Sequence, residues 1–166
     1  MEPDKLTDLE DKAWMREALK LADLAAAEGE VPVGAVIVKD GVLISAGRNR
    51  RELGKNALYH AELEAIDGAC KALGGWRLWR CTLYVTLEPC PMCAGAIINA
   101  RVRRVVYGAS DPKAGSVGSV TNLFDLPYNH RPEVTRGVLE EECRGVLTEF
   151  FRTLRQNPVV KTWKKA

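Results

Sequence analysis

The chain has 166 residues, of which 46% are hydrophobic and 28% charged, and its formal net charge at pH 7 is +2. This length predicts one domain with a sizeable core, and so small a net charge says little about partners. No apolar run approaches the roughly 20 residues that span a bilayer, and the acidic N-terminus does not resemble a secretory signal. We therefore expect a soluble, cytoplasmic protein with no membrane partner.

The first predicted element is an amphipathic helix. Thr7 and Glu10 have the spacing of a capping box, so the helix is expected to begin there and to end near Gly29. Its predicted buried stripe comprises Met15, Ala18, Leu19, Ala22 and Ala26. Two strands follow over residues 33–47, and the Asp-Gly pair at 40–41 predicts a hairpin turn between them.

A helix, a strand, a helix and a strand come next. Residues 60–75 favour a helix that the glycine pair at 74–75 ends. The side chains expected to face the core are Leu63, Ile66, Cys70 and Leu73. A buried strand over 82–87, a helix over 91–100 and a strand over 102–108 have the spacing of a parallel crossover.

The last third of the chain combines a loop with a final helix. Residues 109–132 are rich in Gly, Ser, Asp and Pro, which predicts a loop, and residues 139–155 predict a helix. The apolar face of this helix comprises Leu139, Cys143, Leu147, Phe150 and Leu154. Together the elements predict a single α/β domain whose mixed sheet carries helices on both faces.

Basic residues are concentrated in two places. Residues 152–166 carry five Lys or Arg and no acid, and Arg48, Arg50 and Arg51 follow the second predicted strand. Such clusters suit a polyanion. A solvated, frayed C-terminus is the alternative interpretation of the tail.

The chain has five cysteines, an odd number that argues against a disulfide framework. They are Cys70, Cys81, Cys90, Cys93 and Cys143. Reduced thiols can bind a metal, react, or pack in a core. The sequence PCPMC around Cys90 and Cys93 favours the first of these.

Two prolines stiffen that motif. Pro89 favours extended backbone for the residue before it, and Pro91 suits the first position of a helix. Cys90 is therefore expected at the helix cap and Cys93 one turn in, on the same face. Because the helix dipole favours thiolates at this end, both sulfurs can bind one metal ion.

A histidine can complete the site. His60 begins the predicted second helix in the sequence HAE, and both His60 and Glu62 can face a metal at the mouth of that helix. We predict that His60, Cys90 and Cys93 bind one zinc ion per subunit. Three protein ligands leave a fourth position for water, which is the mark of a catalytic zinc, and Glu62 is placed to be the base.

A closed structural zinc site is the alternative. Its fourth ligand would be Cys70, Cys81 or His130. The three thiols outside the PCPMC motif fall before a strand or on apolar helix stripes, where packed thiols are the usual reading. For His130, an ordinary loop histidine is the alternative interpretation.

The combination of HAE and PCPMC is similar to the signature of the zinc-dependent nucleobase deaminases. From the first helix to about Arg155, the chain resembles the bacterial tRNA-specific adenosine deaminase family (TadA type). The segments GASDPKAGSVGS and NHRPEV favour that family over guanine and cytosine deaminases. The resemblance implies a three-layer α/β/α, cytidine-deaminase-like fold and a homodimer. We expect a single deaminase domain over residues 1–155 and a basic C-terminal tail over residues 156–166.

The resemblance also implies roles for individual residues. By position, the zinc ligands correspond to His60, Cys90 and Cys93, and the proton shuttle to Glu62. Contact with the target nucleoside is implied for Asn49, and positions near a bound anticodon loop for Asp111, Asn129 and His130. Turn formation and loop capping are the alternative interpretations of these last four residues. Leu58-Tyr59 departs from the Thr-Ala pair frequent in the family, which affects the pocket entrance.

The implied reaction is zinc-dependent hydrolytic deamination of adenosine to inosine at the wobble position of a tRNA anticodon. An anticodon loop presents its base unpaired, which lowers the cost of extruding it. One alternative is a deaminase of free guanine, adenine or cytosine, which would share every zinc-site residue. Another is a zinc-stabilised RNA-binding module without catalysis, which a closed four-ligand site would favour.

Overall fold

The structure of the protein is a computed structural model that describes residues 3–157. Within that range, the α-helices are α1 (Pro3–Ala27), α2 (Ala61–Leu73), α3 (Pro91–Asn99) and α4 (Glu140–Gln156). The strands are β1 (Gly34–Lys39), β2 (Val42–Arg48), β3 (Cys81–Leu87), β4 (Arg104–Ala109) and β5 (Glu133–Thr135). A short 3₁₀ helix, Leu123–Asp125, lies between β4 and β5.

The strands form one mixed sheet in the order β2-β1-β3-β4-β5. β1 is antiparallel to both β2 and β3, whereas β3, β4 and β5 are parallel. The hairpin turn has positive φ at Asp40 (51°) and Gly41 (74°), as the Asp-Gly pair predicts. The carboxyl ends of β3 and β4 therefore lie beside the start of β1 and the end of β2. We call this side of the sheet the carboxyl end, and the opposite side, where β3, β4 and β5 begin, the amino end.

Helices cover both faces of the sheet, and the predicted three-layer α/β/α fold is confirmed. Helices α2 and α3 pack against one face around Ile37, Leu83 and Ile97. Helices α1 and α4 pack against the other, around Met15 and Cys143. The sheet thus has a core on each side, and the loops at its two ends remain free to carry function.

Helix α2 lies unusually close to the sheet. A Cβ atom at Gly47 of β2 would be 2.3 Å from the carbonyl oxygen of Ala61, so only glycine fits there. The helix buries small side chains at Ala61, Ala65 and Ala69. The prediction that Leu63, Ile66, Cys70 and Leu73 form the core face is therefore wrong in part: Ile66 and Cys70 pack at the margin of the core, Leu63 is half-buried, and Leu73 is exposed.

Helix α1 begins earlier than its sequence pattern predicts. It starts at Pro3, so Thr7 lies inside the helix and the predicted capping box at Thr7 and Glu10 is wrong. The predicted stripe is buried at Met15, Ala18 and Ala22, and its last member is Ala25 rather than Ala26. Among residues 3–157, no helix is long and apolar enough to cross a membrane.

The C-terminal part departs from prediction in two details. The predicted loop over 109–132 contains the short 3₁₀ helix, and β5 follows it as a strand that the sequence did not indicate. Helix α4 has nearly the predicted bounds, but of its predicted apolar face only Cys143 is fully buried. The basic tail predicted over residues 156–166 lies mostly outside the described residues.

Candidate metal centre and active site

Three potential metal ligands meet at the carboxyl end of the sheet. The Nδ1 atom of His60 lies 3.6 Å from the Sγ atom of Cys90 and 3.5 Å from that of Cys93. The ligand atoms of all three residues lie within 4.8 Å of one another. His60 and Cys90 are half-buried and Cys93 is fully buried. The group can therefore hold one metal ion with limited access from solvent.

Two helix N-termini create this meeting point. His60 is the N-cap of α2 and has extended backbone, with φ −86° and ψ 151°. Cys90 is the N-cap of α3, also extended, and Pro91 occupies the first turn of that helix. Cys93 lies one turn further along α3, so its sulfur returns to the same point. The positive ends of both helix dipoles face the group and favour thiolates there.

The donor set fits zinc. In a tetrahedral zinc site, Zn–S distances of about 2.3 Å and Zn–N distances of about 2.0 Å place the sulfur and nitrogen atoms about 3.5 Å apart. The two nitrogen–sulfur separations in the structure, 3.6 and 3.5 Å, match that value. A hydrogen bond from the Cys93 thiol, together with His60, lowers the pKa of Cys90 to about 4, and the same bond raises the pKa of Cys93. The two sulfurs therefore share one proton, which a bound metal ion would displace.

The residues suggested for a closed structural site do not join the group. Among residues 3–157, the only cluster of three or more potential ligands at this spacing is His60 with Cys90 and Cys93. Cys81 is buried in the core at the start of β3. Cys70 packs near the far end of α2, and the His130 ring bonds the carbonyl oxygen of Val102 at 2.7 Å. The geometry favours three protein ligands and one open position.

Glu62 lies beside the group without belonging to it. Its side chain is 4% exposed, and burial raises the pKa of its carboxyl to about 7. The charge of His60 and a hydrogen bond with Cys93 act in the opposite direction. A carboxyl group with a pKa near neutrality can both accept and donate a proton, as a general acid–base group must.

A cavity of about 200 Å³ opens onto this site. Its walls come from four segments of the chain: the loop before β1, the end of β2 with the loop after it, the start of α2, and the ends of β3 and β4 with the loops that follow. The lining residues are Val31, Val33, Asn49, Arg51, His60, Ala61, Glu62, Leu87, Glu88, Cys90, Asp111 and Ala114. The structure thus brings together six of the eight predicted site residues.

Asn49 is held rigidly in the cavity wall. It is 7% exposed; its side-chain Nδ2 donates to the carbonyl oxygen of Val31 at 3.1 Å, and its Oδ1 accepts the N–H of Arg51 at 3.2 Å. One N–H and one lone pair of the amide remain available to a substrate. Buried Glu30 supports the same loop, since its carboxylate accepts the N–H groups of Glu52 and Leu53.

The side chain of Glu88 organises the opposite wall. It is 2% exposed, and its carboxylate accepts the N–H groups of Asp111, Val117 and Ser119 as well as the Ser119 hydroxyl. Burial raises the pKa of Glu88, but these hydrogen bonds outweigh that effect and lower it below its usual value. Glu88 therefore ties the loop that carries Asp111 to the turn that carries Cys90. The sequence placed Glu88 at a strand end but did not indicate this role, because its partners are up to 31 residues away.

Asp111 has the capping role that the sequence left open. Its Oδ1 atom accepts the N–H groups of Lys113 at 3.0 Å and Ala114 at 3.3 Å. Its Oδ2 atom makes no hydrogen bond to any residue between 3 and 157. The capping bonds fix the carboxylate at the rim of the cavity, where this second oxygen can still meet a ligand.

The three arginines predicted as one polyanion cluster are not equivalent. Arg48 forms two hydrogen bonds to Glu28, and Arg50 pairs with Glu64. Arg51 lines the cavity, and the nearest carboxylate, of Glu52, is 4.0 Å from its guanidinium. Arg51 is therefore the member of the cluster best placed to meet an anion at the cavity.

Asn129 and His130 lie elsewhere. The bond from His130 to Val102 places its ring at the amino end of the sheet, beside Trp79 at 6.2 Å between ring centres. Strand β4 separates that end from Asp111, and its six residues span about 20 Å. The structure does not bring these two residues to the cavity of their own chain, and their contact with an anticodon loop stays a prediction.

The chain is similar to known deaminases over most of its length. The profile of the MafB19-like deaminase family matches residues 9–155. The tRNA-specific adenosine deaminase of Bacillus subtilis (strain 168) is 54% identical over 148 residues, which cover 89% of this chain and 92% of that protein. The protein of the same name from Haemophilus influenzae is 45% identical over 163 residues, which cover 97% of this chain and 94% of that protein.

Solved structures give the same result. A structure from a study of A-to-I editing by tRNA:A34 deaminases superposes with a TM-score of 0.79 at 46% identity and covers 81% of this chain and 99% of that chain. A guanine deaminase from Nitrosomonas europaea has a TM-score of 0.69 at 28% identity, and the match covers 84% of this chain and 83% of that chain. Because the two tRNA-specific adenosine deaminases are 54% and 45% identical over 89% and 97% of this chain, the chain belongs to the tRNA-specific adenosine deaminase family of the cytidine deaminase superfamily.

Proposed function

We propose that the protein hydrolytically deaminates adenosine to inosine at the wobble position of a tRNA anticodon, with one zinc ion per subunit. The observation that carries the proposal is the convergence of His60, Cys90 and Cys93 with buried Glu62 in one cavity. The names of the relatives, tRNA-specific adenosine deaminases, support the choice of substrate.

His60, Cys90 and Cys93 would hold the zinc. When bound, zinc lowers the pKa of a coordinated water, so that a nucleophile is available at neutral pH. The two thiolates would balance the charge of the ion, and the two helix dipoles that face the site add positive potential. Glu62 is not needed as a ligand and remains free for proton transfer.

Glu62 would move the protons of the reaction. Its carboxylate would take one proton from the attacking water and deliver it to N1 of the adenine ring. It would then take the second proton from the new C6 hydroxyl and deliver it to the amino group, which leaves as ammonia while the C6 carbonyl forms. Burial at 4% exposure keeps bulk water away from this carboxylate and holds its pKa near 7. Deamination requires the same group to act first as a base and then as an acid, which such a pKa permits.

The cavity walls would orient the base. Asn49 and Asp111 stand in its walls, and each keeps hydrogen-bonding capacity beyond the bonds it makes within the chain. Arg51 adds a cation in the same wall. We propose that the first two contact the target nucleoside and that Arg51 meets a neighbouring phosphate.

A second groove supports an RNA substrate over a free base. It is lined by Lys113, Arg144, Leu147, Thr148, Phe151 and Arg155. Lys113 belongs to the turn whose neighbours Asp111 and Ala114 line the catalytic cavity, so the two hollows share one rim. An exposed groove with cations and an aromatic ring suits a nucleic-acid strand that continues beyond the flipped base.

Deamination of a free base remains the second candidate, because a guanine deaminase shares the fold at a TM-score of 0.69. The test compares an anticodon stem-loop bearing a wobble adenosine with free adenosine, guanine and cytosine. We expect inosine, detected by mass spectrometry, to form far faster in the stem-loop, at a rate that falls steeply with salt at subsaturating RNA. Equal turnover of a free base, without a salt effect, would assign the protein to the small-molecule deaminases.

Paired variants in α4 test the groove. Arg155 lines it, whereas Arg152 of the same helix is bonded to Glu149 and Gln156. Arg155→Ala and Lys113→Ala should weaken stem-loop binding and reduce the slope of log Kd against log salt by about 0.7–0.9 per lost phosphate contact. Arg152→Ala, the matched control, should change neither. If Arg155→Ala and Arg152→Ala weaken stem-loop binding equally, the RNA contact is not specific to the groove.

We further propose that residues 1–155 form one deaminase domain. We also propose that the protein is a cytoplasmic homodimer, as its family resemblance implies. The part of the tRNA bound at the cavity would be the anticodon loop. Sedimentation equilibrium tests the dimer: a single species at twice the mass of the 18.3 kDa chain is expected.

A further inference from the structure

The loop before β1 carries a buried carboxylate that is not paired with a cation. Glu30 is 1% exposed, and no Lys or Arg between residues 3 and 157 forms an ion pair with it. Its Oε2 atom accepts the N–H of Glu52 at 3.2 Å, and its Oε1 atom accepts the N–H of Leu53 at 2.6 Å. Burial of a carboxylate is costly unless hydrogen bonds compensate for the lost water. Glu30 is therefore bound to the segment after β2 through that segment's backbone.

The backbone of Glu30 is fixed to the end of α1. Gly29 has a positive φ of 81°, and its N–H donates to the carbonyl oxygen of Ala26 at 3.0 Å. The N–H of Glu30 donates to the carbonyl oxygen of Ala25 at 2.9 Å. A left-handed glycine with these two bonds is a Schellman motif, which ends a helix in a defined geometry. The carboxylate is thus presented from a rigid support.

The segment that Glu30 binds is a single helical turn. The N–H of Gly54 donates to the carbonyl oxygen of Arg50 at 2.8 Å, which is the bond of an α-helical turn. The first four N–H groups of such a turn have no partner within it. Here the first is bonded to the carbonyl oxygen of Tyr59, the second to Oδ1 of Asn49, and the third and fourth to Glu30. Asn49 and Glu30 together cap the turn.

This turn positions groups of the catalytic cavity. Asn49 directly precedes it and Arg51 lies within it, and both line the cavity. Asn49 is also bonded to the loop before β1, through its Nδ2 to the carbonyl oxygen of Val31 at 3.1 Å and through its backbone N–H to that of Val33 at 3.0 Å. The remaining hydrogen-bonding capacity of the Asn49 amide keeps a fixed direction only while the turn and this loop stay together.

We propose that Glu30 is a positioning residue of the active site, whose carboxylate fixes the turn after β2 and thereby orients Asn49 toward the base. Glu30 is not among the residues that line the cavity, so it acts through Asn49 rather than on the substrate. The proposal rests on the proposed function, because it takes Asn49 as a contact to the target nucleoside. A misplacement of about 1 Å can cost about 10²-fold in rate, so a residue behind the cavity wall can affect turnover strongly.

A double-mutant cycle separates positioning from mere stabilisation of the fold. It compares kcat/KM for the stem-loop among Glu30→Gln, Asn49→Ala and the double variant. An amide has one oxygen and cannot accept both N–H groups as the carboxylate does, so kcat/KM of Glu30→Gln should fall by about 10- to 100-fold. In the Asn49→Ala background the same change should cost less than about threefold, because the group that Glu30 positions is then absent.

Glu28→Gln is the matched control. Its carboxylate lies two residues before Glu30 and is paired with Arg48 at 2.8 Å, on the surface of the protein. This variant should leave kcat/KM unchanged in both backgrounds, since an exposed ion pair contributes little.

Hydrogen–deuterium exchange provides a readout that needs neither substrate nor turnover. Exchange in the peptide that covers residues 50–56 should rise in Glu30→Gln and stay unchanged in Glu28→Gln, because only the first variant frees N–H groups of the turn. Zinc content should remain one ion per subunit. Glu30→Asp keeps the charge but shortens the reach by one carbon, so its kcat/KM should fall less than that of Glu30→Gln. If Glu30→Gln does not fold, Glu30→Asp takes its place in the cycle.

Four results would overturn the proposal: unchanged kcat/KM, unchanged exchange in the turn, loss of zinc, or losses that multiply fully in the double variant. The last would show that Glu30 acts independently of Asn49. Failure of the proposed function looks different, because the unmodified protein would then not deaminate the stem-loop. If it deaminates a free base instead, the same cycle measured with that base still tests Glu30.

Discussion

The two ends of the parallel strands use polar side chains in opposite ways. At the carboxyl end, Glu62 and Glu88 are 4% and 2% exposed, and each is surrounded by hydrogen-bonding or ligand groups. At the amino end, Trp76 and Trp79 are about half exposed, and Arg77 and Arg103 beside them are exposed. The same sheet thus presents a buried polar site on one side and an open cationic surface on the other.

This difference teaches what each end can contribute. Electrostatic interactions are strongest where water is excluded, so a buried carboxylate can have a shifted pKa and take part in chemistry. An exposed aromatic and cationic surface is screened by solvent and salt, and it can add affinity but not chemistry. Substitutions at the carboxyl end should therefore change metal content, turnover or stability, and those at the amino end should change only binding.

The largest effect is expected from the cysteines of the carboxyl end. Cys90→Ala and Cys93→Ala should each remove zinc and abolish deamination, because either leaves two protein ligands. Cys81→Ala and Cys143→Ala are the controls, since both thiols are buried in the core away from the group. Metal analysis by mass spectrometry makes the measurement. Loss of zinc from Cys81→Ala would instead support a closed structural site.

Glu62→Gln should have the next largest effect. The amide fills the same buried space but cannot take a proton from water, so turnover should fall by about 10²- to 10⁴-fold. Zinc content should remain stoichiometric. If this variant binds no zinc, Glu62 is a ligand rather than the proton-transfer group, and the proposed mechanism is wrong.

Glu88→Gln should have an intermediate effect. Its carboxylate accepts three backbone N–H groups and one hydroxyl, and an amide cannot accept all of them, so the free energy of unfolding should fall by about 1–3 kcal/mol. The loop that carries Asp111 should loosen, which raises KM for the stem-loop more than it lowers kcat. Ser119→Ala removes only one of these donors and is the graded control. Equal losses in the two variants, measured by urea unfolding, would contradict the role of Glu88 as the centre of this network.

The smallest effect is expected from His130→Ala. Because the ring bonds Val102 at the amino end, its loss should leave zinc content and turnover of free adenosine unchanged and alter stem-loop turnover by less than a few-fold. A loss of stem-loop turnover as large as that of Glu62→Gln would contradict this expectation and would support the position near a bound anticodon loop that the family resemblance implies for His130. That result would require a partner subunit to bring it there, and sedimentation of the variant would then be informative.

Local patterns in the sequence were sufficient for all the α-helices and strands except β5 and the start of α1, and for the metal-binding group of His60, Cys90 and Cys93. The Asp-Gly pair predicted the hairpin, the glycine pair ended α2, and the prolines around Cys90 predicted a thiolate pair at a helix start. Each of these signals acts within a few residues, where backbone sterics and helix capping decide conformation. His60 could be paired with Cys90 and Cys93 because a zinc site requires a third ligand and the chain has only two histidines.

Tertiary structure alone decided which residues of an element face the core and which distant residues meet. Leu63 and Leu73 were predicted on the core-facing side of α2. Because Gly47 lets the helix approach the sheet closely, alanines occupy the contact between the helix and the sheet instead. The fold brought distant backbone N–H groups to the carboxylate of Glu88. It engaged Arg48 and Arg50 in ion pairs with Glu28 and Glu64. It also placed His130 at the end of the sheet opposite to Asp111. These outcomes depend on the packing of segments far apart in the chain, which neither periodicity nor motif spacing encodes.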